Sequence, residues 1–421
     1  MAQLLRGRVN LPGDKSISHR AVLLSSISEG NCTIRNLATG KDLGSTVDAV
    51  RQLGVEISES EPSVLQISGV GMNNFVKPEG KLNCGNAGTS LRLLLGLLAG
   101  SNISAKLDGD SSLRKRPVNR VAIPLRHMGA DIETTDRGTC PVTVIGKRLS
   151  GIGYALPVAS AQVKSAILLA ALSASGETEI VEPTPTRDHT ERMLISLGVP
   201  LTTSDCTVST GPASRIPAFD IDIPGDISSA AFVVLPALLL PNSEIVLENV
   251  CLNPTRCGYL QILRRMGADI ATDEIAIKRG EPVGKLFVRA SRMHSSRCDD
   301  IPVATFIDEV PILALAATQA DGVTRISRLG ELRVKESDRL SGIVTVLGSA
   351  GAKIQVEEDD LVICGPTKLF PPDVGPQHDH RMAMLVETIN LISEGQLTDS
   401  YADAISISFP EYYEVMKSLL D

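Results

Sequence analysis

A short motif that predicts the end of a helix recurs five times along the chain. In each copy an apolar or small residue is followed by glycine, a small or apolar residue, any residue, and isoleucine or leucine. Glycine in this position is typical of the left-handed residue that closes a helix before a strand. The motif glycines, spaced about 70 to 85 residues apart as expected for a large repeated unit, are Gly54, Gly129, Gly198, Gly267 and Gly351.

Six other segments are apolar almost all round, which predicts helices that are buried rather than half-exposed. Each precedes a strand-like run, such as Cys32–Ile34 or Thr178–Val181, and then a second helix. We therefore predict an α/β chain of six βαβαββ-like units, with a final helix over Glu411–Leu420. The buried helices are predicted to start near Ser16, Ala87, Ala161, Ile227, Glu309 and His380.

The chain is 421 residues long, which exceeds the usual size of a single core and predicts two domains. Three units precede a Pro–Gly pair in the middle of the chain, and another Pro–Gly pair follows the first strand-like run, 3–10. Both pairs are predicted hinges, so the N-terminal strand completes the second domain. The predicted domains are 13–224 and 1–12 plus 225–421, with hinges near Pro12–Gly13 and Pro224–Gly225.

The predicted starts of the buried helices are unusually polar, and several are basic. Lys15, Arg20 and Arg381 lie in or near the first turns of such helices. The free N–H groups of a buried helix start need acceptors, which side-chain caps can supply. A cation at this end costs about 0.3–1 kcal/mol unless an anion offsets it. Capping by the protein alone is one interpretation, and a shared anion-binding site, which the repetition favours, is the other.

Composition argues against several other classes of function. The formal net charge of −8 disfavours a broad surface for nucleic acid or anionic membranes. The longest apolar run, Ala230–Leu240, is too short to span a bilayer, and the first residues lack the apolar core of a signal peptide. The eight cysteines lack zinc-type spacing. We expect a cytoplasmic protein that binds neither nucleic acid nor membrane and holds no metal.

Three local features suggest other roles. The stretch His378–His380 could ligate a metal, but no carboxylate or cysteine with matching spacing supports that role, so we interpret it as a helix cap. Cys84 has no base partner in the sequence, so we do not expect it to act as a nucleophile. Arg92 and Arg114 are interpreted equally as surface ion pairs or as site residues.

Eight polar stretches are spread in order along the whole chain. They are Asp14–Arg20, Gly85–Arg92, Asp108–Pro117, Ala159–Ser165, Thr186–Glu191, Pro224–Ala230, Arg333–Leu340 and Asp379–Met384. Together they resemble the motifs of the 5-enolpyruvylshikimate-3-phosphate (EPSP) synthase family. The resemblance implies a two-domain inside-out α/β barrel, in which each domain has three βαβαββ repeats around buried parallel helices.

The resemblance also implies a reaction. Members of this family move the enolpyruvyl group of phosphoenolpyruvate (PEP) to the 5-hydroxyl of shikimate 3-phosphate and release phosphate, through a tetrahedral intermediate. The step belongs to the shikimate pathway of aromatic amino-acid biosynthesis, and it needs no metal or organic cofactor. The implied partners are these two small substrates, and a monomer is expected.

Both substrates are polyanions, so the implied site needs several fixed cations. Arginine suits such a site because its planar guanidinium can grip a carboxylate or phosphate with two hydrogen bonds. A side chain at position 88 is expected to crowd PEP. By resemblance, shikimate 3-phosphate is bound by Lys15, Ser16, Arg20, Ser160, Ala161, Gln162, Arg187, Asp308 and Lys335. By resemblance, PEP is bound by Lys15, Gly88, Arg116, Gln162, Arg339 and Arg381.

The reaction also needs proton transfer, because the attacking hydroxyl loses a proton and the enol methylene gains one. The candidate catalytic residues are Asp308, Glu336 and Lys15. Cations around a carboxylate favour its ionised form, whereas burial favours its protonated form. The sequence therefore leaves the acid and base roles open among the three residues.

The chain departs from the motifs of many family members at two places. Ala161 stands where many members have a second serine, and Ile407–Ser408 stand before Phe409–Pro410, where many have a lysine. Both features resemble a divergent bacterial branch, some of whose members tolerate the inhibitor glyphosate. Gly88, however, is the small residue typical of sensitive members. We therefore expect moderate sensitivity to glyphosate, competitive with PEP.

Three other functions are compatible with parts of the sequence. UDP-N-acetylglucosamine enolpyruvyl transferase has the same repeats, but its Lys–Asn opening and its reactive loop cysteine have no counterpart in Lys15–Ser16 or in 110–117. An RNA-processing enzyme of related repeat topology is disfavoured by the acidic net charge and the lack of interleaved aromatic and basic residues. A non-catalytic anion-binding module would not need Asp308 or Glu336. Release of phosphate from PEP only when shikimate 3-phosphate is present separates all four functions.

Overall fold

The apolar segments form helices close to their predicted positions. The computed structural model describes residues 3–375 and 377–421. Within these residues the α-helices are α1 (Lys15–Ser26), α2 (Lys41–Gln52), α3 (Gly88–Ala99), α4 (Asn119–His127), α5 (Ala161–Ala171), α6 (His189–Ser196), α7 (Ile227–Leu239), α8 (Gly258–Arg265), α9 (Val310–Gln319), α10 (Arg339–Ser349), α11 (His380–Glu394), α12 (Ala402–Ile405) and α13 (Tyr412–Leu419).

The strands alternate with these helices along the chain, which makes the fold mixed α/β. The strands are β1 (Arg6–Asn10), β2 (Ser28–Arg35), β3 (Glu56–Glu61), β4 (Val64–Val70), β5 (Leu82–Asn83), β6 (Ser104–Asp108), β7 (Asp131–Glu133), β8 (Val142–Ile145), β9 (Gly153–Ala155), β10 (Thr178–Val181), β11 (Leu201–Ser204), β12 (Thr207–Thr210), β13 (Ile216–Pro217), β14 (Asp220–Asp222), β15 (Glu244–Cys251), β16 (Asp269–Lys278), β17 (Glu281–Arg289), β18 (Gly322–Ile326), β19 (Lys353–Glu357) and β20 (Asp360–Gly365).

The described residues group into two units. Unit 1 contains the residues up to Pro12, Pro224–Lys278 and the residues from Pro282 onward. Unit 2 contains Gly13–Ile223 and Arg279–Glu281. The second division therefore falls one residue before the boundary at 224 that the sequence predicts.

The segment Arg279–Glu281 groups with unit 2, although the sequence predicts it within the other domain. The Arg192 guanidinium donates a hydrogen bond to the carbonyl oxygen of Gly280 at 2.9 Å. The Nδ1 of His189 lies 2.8 Å from the Glu281 carboxylate. These partners lie 88 and 92 residues apart in sequence. A local sequence pattern could therefore not predict the assignment.

Six helices are buried along almost their whole length: α1, α3 and α5 in unit 2, and α7, α9 and α11 in unit 1. Their observed starts agree with the predicted starts to within one residue, so this prediction is confirmed. In α7 every residue from Ile227 to Leu238 is buried. The aliphatic side chains of these helices form the core of each unit. Among the described residues no helix has both the length and the apolar composition needed to cross a membrane.

The motif glycines end helices as predicted. Their φ angles lie between +79° and +102°, in the left-handed region that a side chain disfavours. Each directly follows the last turn of α2, α4, α6, α8 or α10. The spacing of the glycine motif therefore matches the spacing of the helices α2, α4, α6, α8 and α10 along the chain.

Unit 2 repeats one sheet topology three times. The sheet orders are β14-β2-β4-β3, β5-β6-β8-β7 and β9-β10-β12-β11, and β13 also pairs with β2. In each sheet the first two strands are parallel and the remaining pairs are antiparallel. The last strand of the unit, β14, supplies the first strand of the first sheet. Unit 2 thus contains three βαβαββ repeats.

Unit 1 contains one complete βαβαββ repeat and two that lack strands, so its three predicted units are not equally complete. Its first sheet has the order β1-β15-β17-β16, with β1 parallel to β15, which confirms that the N-terminal strand completes this part of the chain. The second sheet, β18-β20-β19, lacks a first strand. An isolated parallel bridge between His294 and Asp321 precedes β18 instead.

The third repeat of unit 1 has helices but no strand ladder within residues 377–421. Glu387 of α11 is fully buried, and its carboxylate accepts the N–H of Thr398 at 2.8 Å and its hydroxyl at 2.7 Å. The segment after α11 is therefore held as a loop, and the short helix α12 follows it. The sequence of this loop is polar at Gln396 and from Thr398 to Ser400, so it lacks the alternation of apolar and polar residues that is typical of a strand.

Helices α3 and α5 touch at their backbones. A Cβ atom at Gly96 would lie 2.3 Å from the carbonyl oxygen of Ala166, so only glycine fits without moving one helix. This close approach sets the two helices side by side. Their first turns then lie next to each other, where the candidate site of unit 2 forms.

A buried histidine connects α1 to its neighbours. The Nδ1 of His19 lies 2.8 Å from the hydroxyl of Thr46 in α2, which in turn lies 2.5 Å from the hydroxyl of Ser90 in α3. All three side chains are fully buried. Polar groups buried in this way are stable only when hydrogen-bonded, so the chain of contacts fixes the packing of α1, α2 and α3.

The burial of His19 makes the stability of unit 2 depend on pH. Burial is the largest effect that lowers its pKa from 6.5 to about 3. Between these values the unfolded state binds a proton that the folded state does not. Stability is therefore complete above pH 6.5 and falls as the pH drops toward 3. We expect this group to cost about 2 kcal/mol of unfolding free energy between pH 7.5 and pH 5.0.

Urea unfolding of the parent protein and of His19→Gln, followed by circular dichroism at both pH values, measures this effect. Glutamine can still hydrogen-bond to Thr46 but does not titrate. The loss of unfolding free energy at pH 5.0 should therefore be smaller by about 2 kcal/mol in the variant. Equal losses in the two proteins would contradict the prediction.

Candidate active site

The first turn of α1 opens the candidate site of unit 2. Asp14 caps the helix, and its carboxylate accepts the N–H of Ile17 at 2.9 Å. The Nζ of Lys15 lies 3.1 Å from the carboxylate of Asp42 in α2, and the Lys15 side chain is 20% exposed. An anion can therefore reach Lys15, while Asp42 keeps the ammonium group in place.

Arg20 lies one turn further along α1 and is buried. Its guanidinium donates hydrogen bonds to the carbonyl oxygen of Ser16 at 2.9 Å, to the hydroxyl of Thr190 at 2.6 Å and to the hydroxyl of Ser165 at 2.7 Å. Burial lowers its pKa to about 10, and the charge of Glu191 opposes that shift. Arg20 therefore stays charged at neutral pH and joins α1 to α5 and α6.

Arg187 is half-buried in the loop between β10 and α6. Burial is the largest effect that lowers the pKa of Arg20, and the charge of Arg187 lowers it further. The two cations are therefore close enough to repel each other. The structure thus brings Ser16, Arg20 and Arg187, three of the predicted residues, into one neighbourhood.

The first turn of α5 carries three further predicted residues. Ser160 caps the helix through its hydroxyl, and Ala161 beside it is half-buried. The side-chain oxygen of Gln162 accepts a hydrogen bond from Arg92 at 2.5 Å, and its nitrogen donates to the hydroxyl of Thr89 at 2.8 Å. These two contacts fix the orientation of the Gln162 amide.

Gly88 begins α3 beside two arginines. A Cβ atom there would lie 2.6 Å from the Nη1 of Arg92 and 3.3 Å from the Nη1 of Arg116. Arg116 is buried and donates to the side-chain oxygen of Asn86 at 2.5 Å. A side chain at position 88 would thus displace guanidinium groups of the protein itself.

Two interpretations from the sequence are decided near this site. Arg114 is half exposed and forms a two-pronged ion pair, at 2.8 Å and 2.5 Å, with Asp108, whose side chain is buried. The Arg114 hydrogen bonds hold the pKa of Asp108 well below its usual range. Cys84 is buried, and burial raises the pKa of its thiol to about 12. The thiol therefore stays protonated, which agrees with its expected lack of a nucleophilic role.

Asp308 is the centre of the candidate site of unit 1. It lies in a buried 3-10 turn, Ile307–Glu309, directly before α9. Its carboxylate lies 3.4 Å from Lys335, 3.3 Å from Arg339 and 4.0 Å from Arg381. The Arg381 guanidinium also donates to the carbonyl oxygen of Asp308 at 3.0 Å. Three positive charges therefore lie around this carboxylate.

Arg339 connects the acidic residues of unit 1. Its side chain is 1% exposed and donates to the carboxylate of Asp379 at 2.8 Å and 3.1 Å. It also lies 2.6 Å from the carboxylate of Glu336, in addition to its contact with Asp308. Burial would lower its pKa, but the charges of Asp379 and Glu336 outweigh that effect and raise it. Arg339 is therefore permanently charged.

Asp379 has a second role as a helix cap. Its carboxylate accepts the N–H of Arg381 at 3.0 Å, at the start of α11. This contact confirms that the stretch His378–His380 is a helix cap. Burial would raise the pKa of Asp379, but the charge of Arg339 outweighs it and lowers the pKa.

Lys335 and Glu336 are the accessible members of the cluster in unit 1. Their side chains are 29% and 26% exposed, whereas those of Asp308 and Arg381 are nearly buried. Both residues follow the 3-10 helix Gly330–Val334. A substrate that approaches this cluster can therefore meet an ammonium and a carboxylate first.

Sequence reasoning missed the side chains that hold the predicted cations. The contacts are long-range: Lys15 and its partner are 27 residues apart, and Arg339 and its partner are 40 apart. Two of the missed residues lie within stretches that the sequence analysis singled out, which was the only local signal. The missed partners are Asp42 beside Lys15, Asn86 beside Arg116, Glu309 at 3.7 Å from Arg381, and Asp379 beside Arg339.

Known proteins resemble this chain over almost its whole length. A family model described as EPSP synthase (3-phosphoshikimate 1-carboxyvinyltransferase) matches residues 2–416. A relative from Thermodesulfovibrio yellowstonii, named 3-phosphoshikimate 1-carboxyvinyltransferase, is 43% identical over 421 residues, which cover 99% of this chain and 98% of the relative.

Two solved structures resemble the fold. An EPSP synthase from Acinetobacter baumannii superimposes with a TM-score of 0.85 at 38% identity, and the match covers 100% of this chain and 98% of that one. The enolpyruvyl transferase NikO from Streptomyces tendae has the same fold, with a TM-score of 0.74 at 16% identity over 99% and 96% of the two chains. The family model and the close relatives together show that the chain belongs to the EPSP synthase family.

Proposed function

We propose that the clusters of units 1 and 2 carry out the reaction of the EPSP synthase family. The chain is a 3-phosphoshikimate 1-carboxyvinyltransferase, an enolpyruvyl transferase of the shikimate pathway that leads to the aromatic amino acids. It transfers the enolpyruvyl group of PEP to the 5-hydroxyl of shikimate 3-phosphate by addition and elimination, and it releases phosphate. The observation that carries the assignment of residues is Asp308, a carboxylate fixed among Lys335, Arg339 and Arg381.

Shikimate 3-phosphate is proposed to bind at the starts of α1 and α5. Hydroxyl and backbone N–H groups at a helix start suit a phosphate, and Lys15 and Arg187 add accessible charge. Arg20 is held by Ser165 and Thr190, so it acts on the substrate mainly through its charge. The proposed ligands are Lys15, Ser16, Arg20, Ser160, Ala161, Gln162 and Arg187, with Asp308 and Lys335 from unit 1.

PEP is proposed to bind through its carboxylate and phosphate to fixed arginines. Guanidinium groups that are already held in place lose little freedom when an anion arrives. Gly88 keeps the nearby guanidinium groups in place, because any side chain at this position would push against them. The proposed ligands are Lys15, Gly88, Arg116 and Gln162 from unit 2, and Arg339 and Arg381 from unit 1.

Asp308 is proposed as the base that accepts the proton of the 5-hydroxyl. Three cations hold its carboxylate in one place, and a general base must be positioned in this way. Glu336 and Lys15 are then the two candidates for protonation of the enol methylene. We favour Glu336 as the proton donor, because it belongs to the same cluster as Asp308 and its side chain is accessible.

The finer description of the fold is also part of this proposal. Each unit is proposed to be one domain, built as an inside-out α/β barrel with parallel helices inside and sheets outside, with hinges at Pro12–Gly13 and Pro224–Gly225. The buried helices α1, α3, α5, α7, α9 and α11 support this description. We propose a monomer in the cytoplasm.

The proposed reaction predicts that phosphate is released from PEP only in the presence of shikimate 3-phosphate. A phosphate-release assay with the purified chain, with mass spectrometry of the enolpyruvyl product, measures both outcomes. UDP-N-acetylglucosamine in place of shikimate 3-phosphate is the matched control. Turnover with that sugar nucleotide, or none with shikimate 3-phosphate, would contradict the function.

Replacement of the carboxylate of Glu336 tests its proposed role in proton transfer. Glu336→Gln should lower kcat by about 10²–10⁴-fold, because general acid–base catalysis usually contributes that much. The exposed Glu414→Gln in α13 is the control and should keep the parent kcat. A kcat of Glu336→Gln within about threefold of the parent would exclude the role.

Glyphosate is proposed to inhibit the chain in competition with PEP. The anionic inhibitor should bind the same cations as PEP, and Gly88 leaves the guanidinium groups of Arg92 and Arg116 undisturbed. Initial rates at several PEP concentrations should show an increase in the apparent KM for PEP and an unchanged kcat. Unchanged rates at millimolar glyphosate would rule this out.

A further inference from the structure

A cluster of buried charges in unit 2 takes no part in the proposed chemistry. Lys164 of α5 is 1% exposed, and its Nζ lies 2.7 Å from a carboxylate oxygen of Glu182 and 2.6 Å from one of Glu191. Both glutamates are buried as well. Two carboxylates thus share one ammonium group in the core of the unit.

Stability alone does not account for this cluster. Removal of charged groups from water is costly, and well-packed apolar side chains of similar volume are often as stable as a buried ion pair. Burial would lower the pKa of Lys164, but the charges of Glu191 and Glu182 outweigh it and raise the pKa. The ammonium group therefore stays charged. The role of the cluster must lie in the residues that it keeps in position.

Glu182 holds the loop that carries Arg187. Its carboxylate accepts the hydroxyl hydrogen bond of Thr186 and, at 3.5 Å, the N–H of the same residue. The Nζ of Lys164 lies 3.5 Å from the carbonyl oxygen of Thr186. All three polar groups of Thr186 are thus bound by the cluster. Because Thr186 directly precedes Arg187, these contacts fix the position of the Arg187 backbone.

The same cluster flanks the two hydroxyl groups that hold Arg20. Ser165 follows Lys164 in α5, and Thr190 precedes Glu191 in α6. Arg20 donates to the two hydroxyls at 2.7 Å and 2.6 Å, and the Thr190 hydroxyl donates to that of Ser165 at 2.7 Å. The ion pair between Lys164 and Glu191 therefore fixes the spacing of α5 and α6 on which Arg20 depends.

We propose that Lys164, Glu182 and Glu191 form a positioning cluster for shikimate 3-phosphate. The cluster sets the places of Arg187 and Arg20 and touches neither substrate. This inference rests on the proposed binding of shikimate 3-phosphate by those two arginines. Loss of the cluster should weaken the binding of that substrate and leave kcat and the KM for PEP unchanged.

The hydroxyl of Thr186 offers the sharpest test. Thr186→Val has almost the same shape but cannot donate to Glu182, whereas Thr186→Ser keeps the donor. Thr186→Val should raise the Kd of shikimate 3-phosphate, measured by calorimetry without PEP, and its KM by about tenfold. Thr186→Ser should match the parent. The kcat and the KM for PEP should change by less than about twofold in both variants.

Glu182→Gln is a second variant with a matched control. It leaves Lys164 and Glu191 as a one-to-one pair and removes the charge that accepts both hydrogen bonds of Thr186, so it should weaken shikimate 3-phosphate binding at least as much as Thr186→Val. The double variant should lose less affinity than the two single losses combined, because both changes act on the contact between Glu182 and Thr186. Glu387→Gln in unit 1 is the control, because Glu387 is also buried and also binds the N–H and hydroxyl of a threonine.

The outcomes separate this inference from the proposed function. If Arg187→Met loses affinity for shikimate 3-phosphate but Thr186→Val keeps it within about twofold, the positioning role is wrong and the function stands. Equal weakening by Glu387→Gln would show general destabilisation and would also overturn the positioning role. If Arg187→Met itself keeps the parent affinity, the proposed binding site fails and the positioning role fails with it.

Discussion

The starts of the six buried helices are the constraint on which the rest of the structure depends, because their free N–H groups must find acceptors. Four of the six buried helices have a side-chain cap, and the caps are Asp14, Ser160, Asp226 and Asp379. In the described part of the chain, α3 and α9 have no such cap. These two helices begin at Gly88 and directly after the turn that contains Asp308. The uncapped starts thus coincide with residues that the proposed reaction uses.

Cations next to these starts are paired with carboxylates of the protein. Lys15 contacts Asp42, and Arg339 contacts Asp379, so both are fixed before any substrate is present. A site whose charges are already in place does not have to reorganise when negative charge develops in a transition state, which is a large part of electrostatic catalysis. The paired carboxylates also stabilise these cations, since unpaired buried cations would be very costly.

The sequence predicted the parts of the fold that depend on local chemistry. The starts of the buried helices and the left-handed glycines, such as Gly54, follow from apolar patterning and from backbone sterics, which a single segment contains. The loop after α11 and the assignment of Arg279–Glu281 depend on partners far along the chain, so no local pattern reveals them. The same distinction holds for the site. Its cations lie in sequence motifs and could be predicted, whereas Asp42, which orients Lys15, is a distant partner and could not.

The parallel pairing of β1 with β15 has a consequence for synthesis on the ribosome. Arg6 pairs with Glu244, so β1 has no partner until β15 has been made. Almost all of unit 2 is translated in that interval and can begin to fold first. The exposed early strand is short and carries Arg6 and Arg8, which disfavours aggregation with neighbouring nascent chains while it waits.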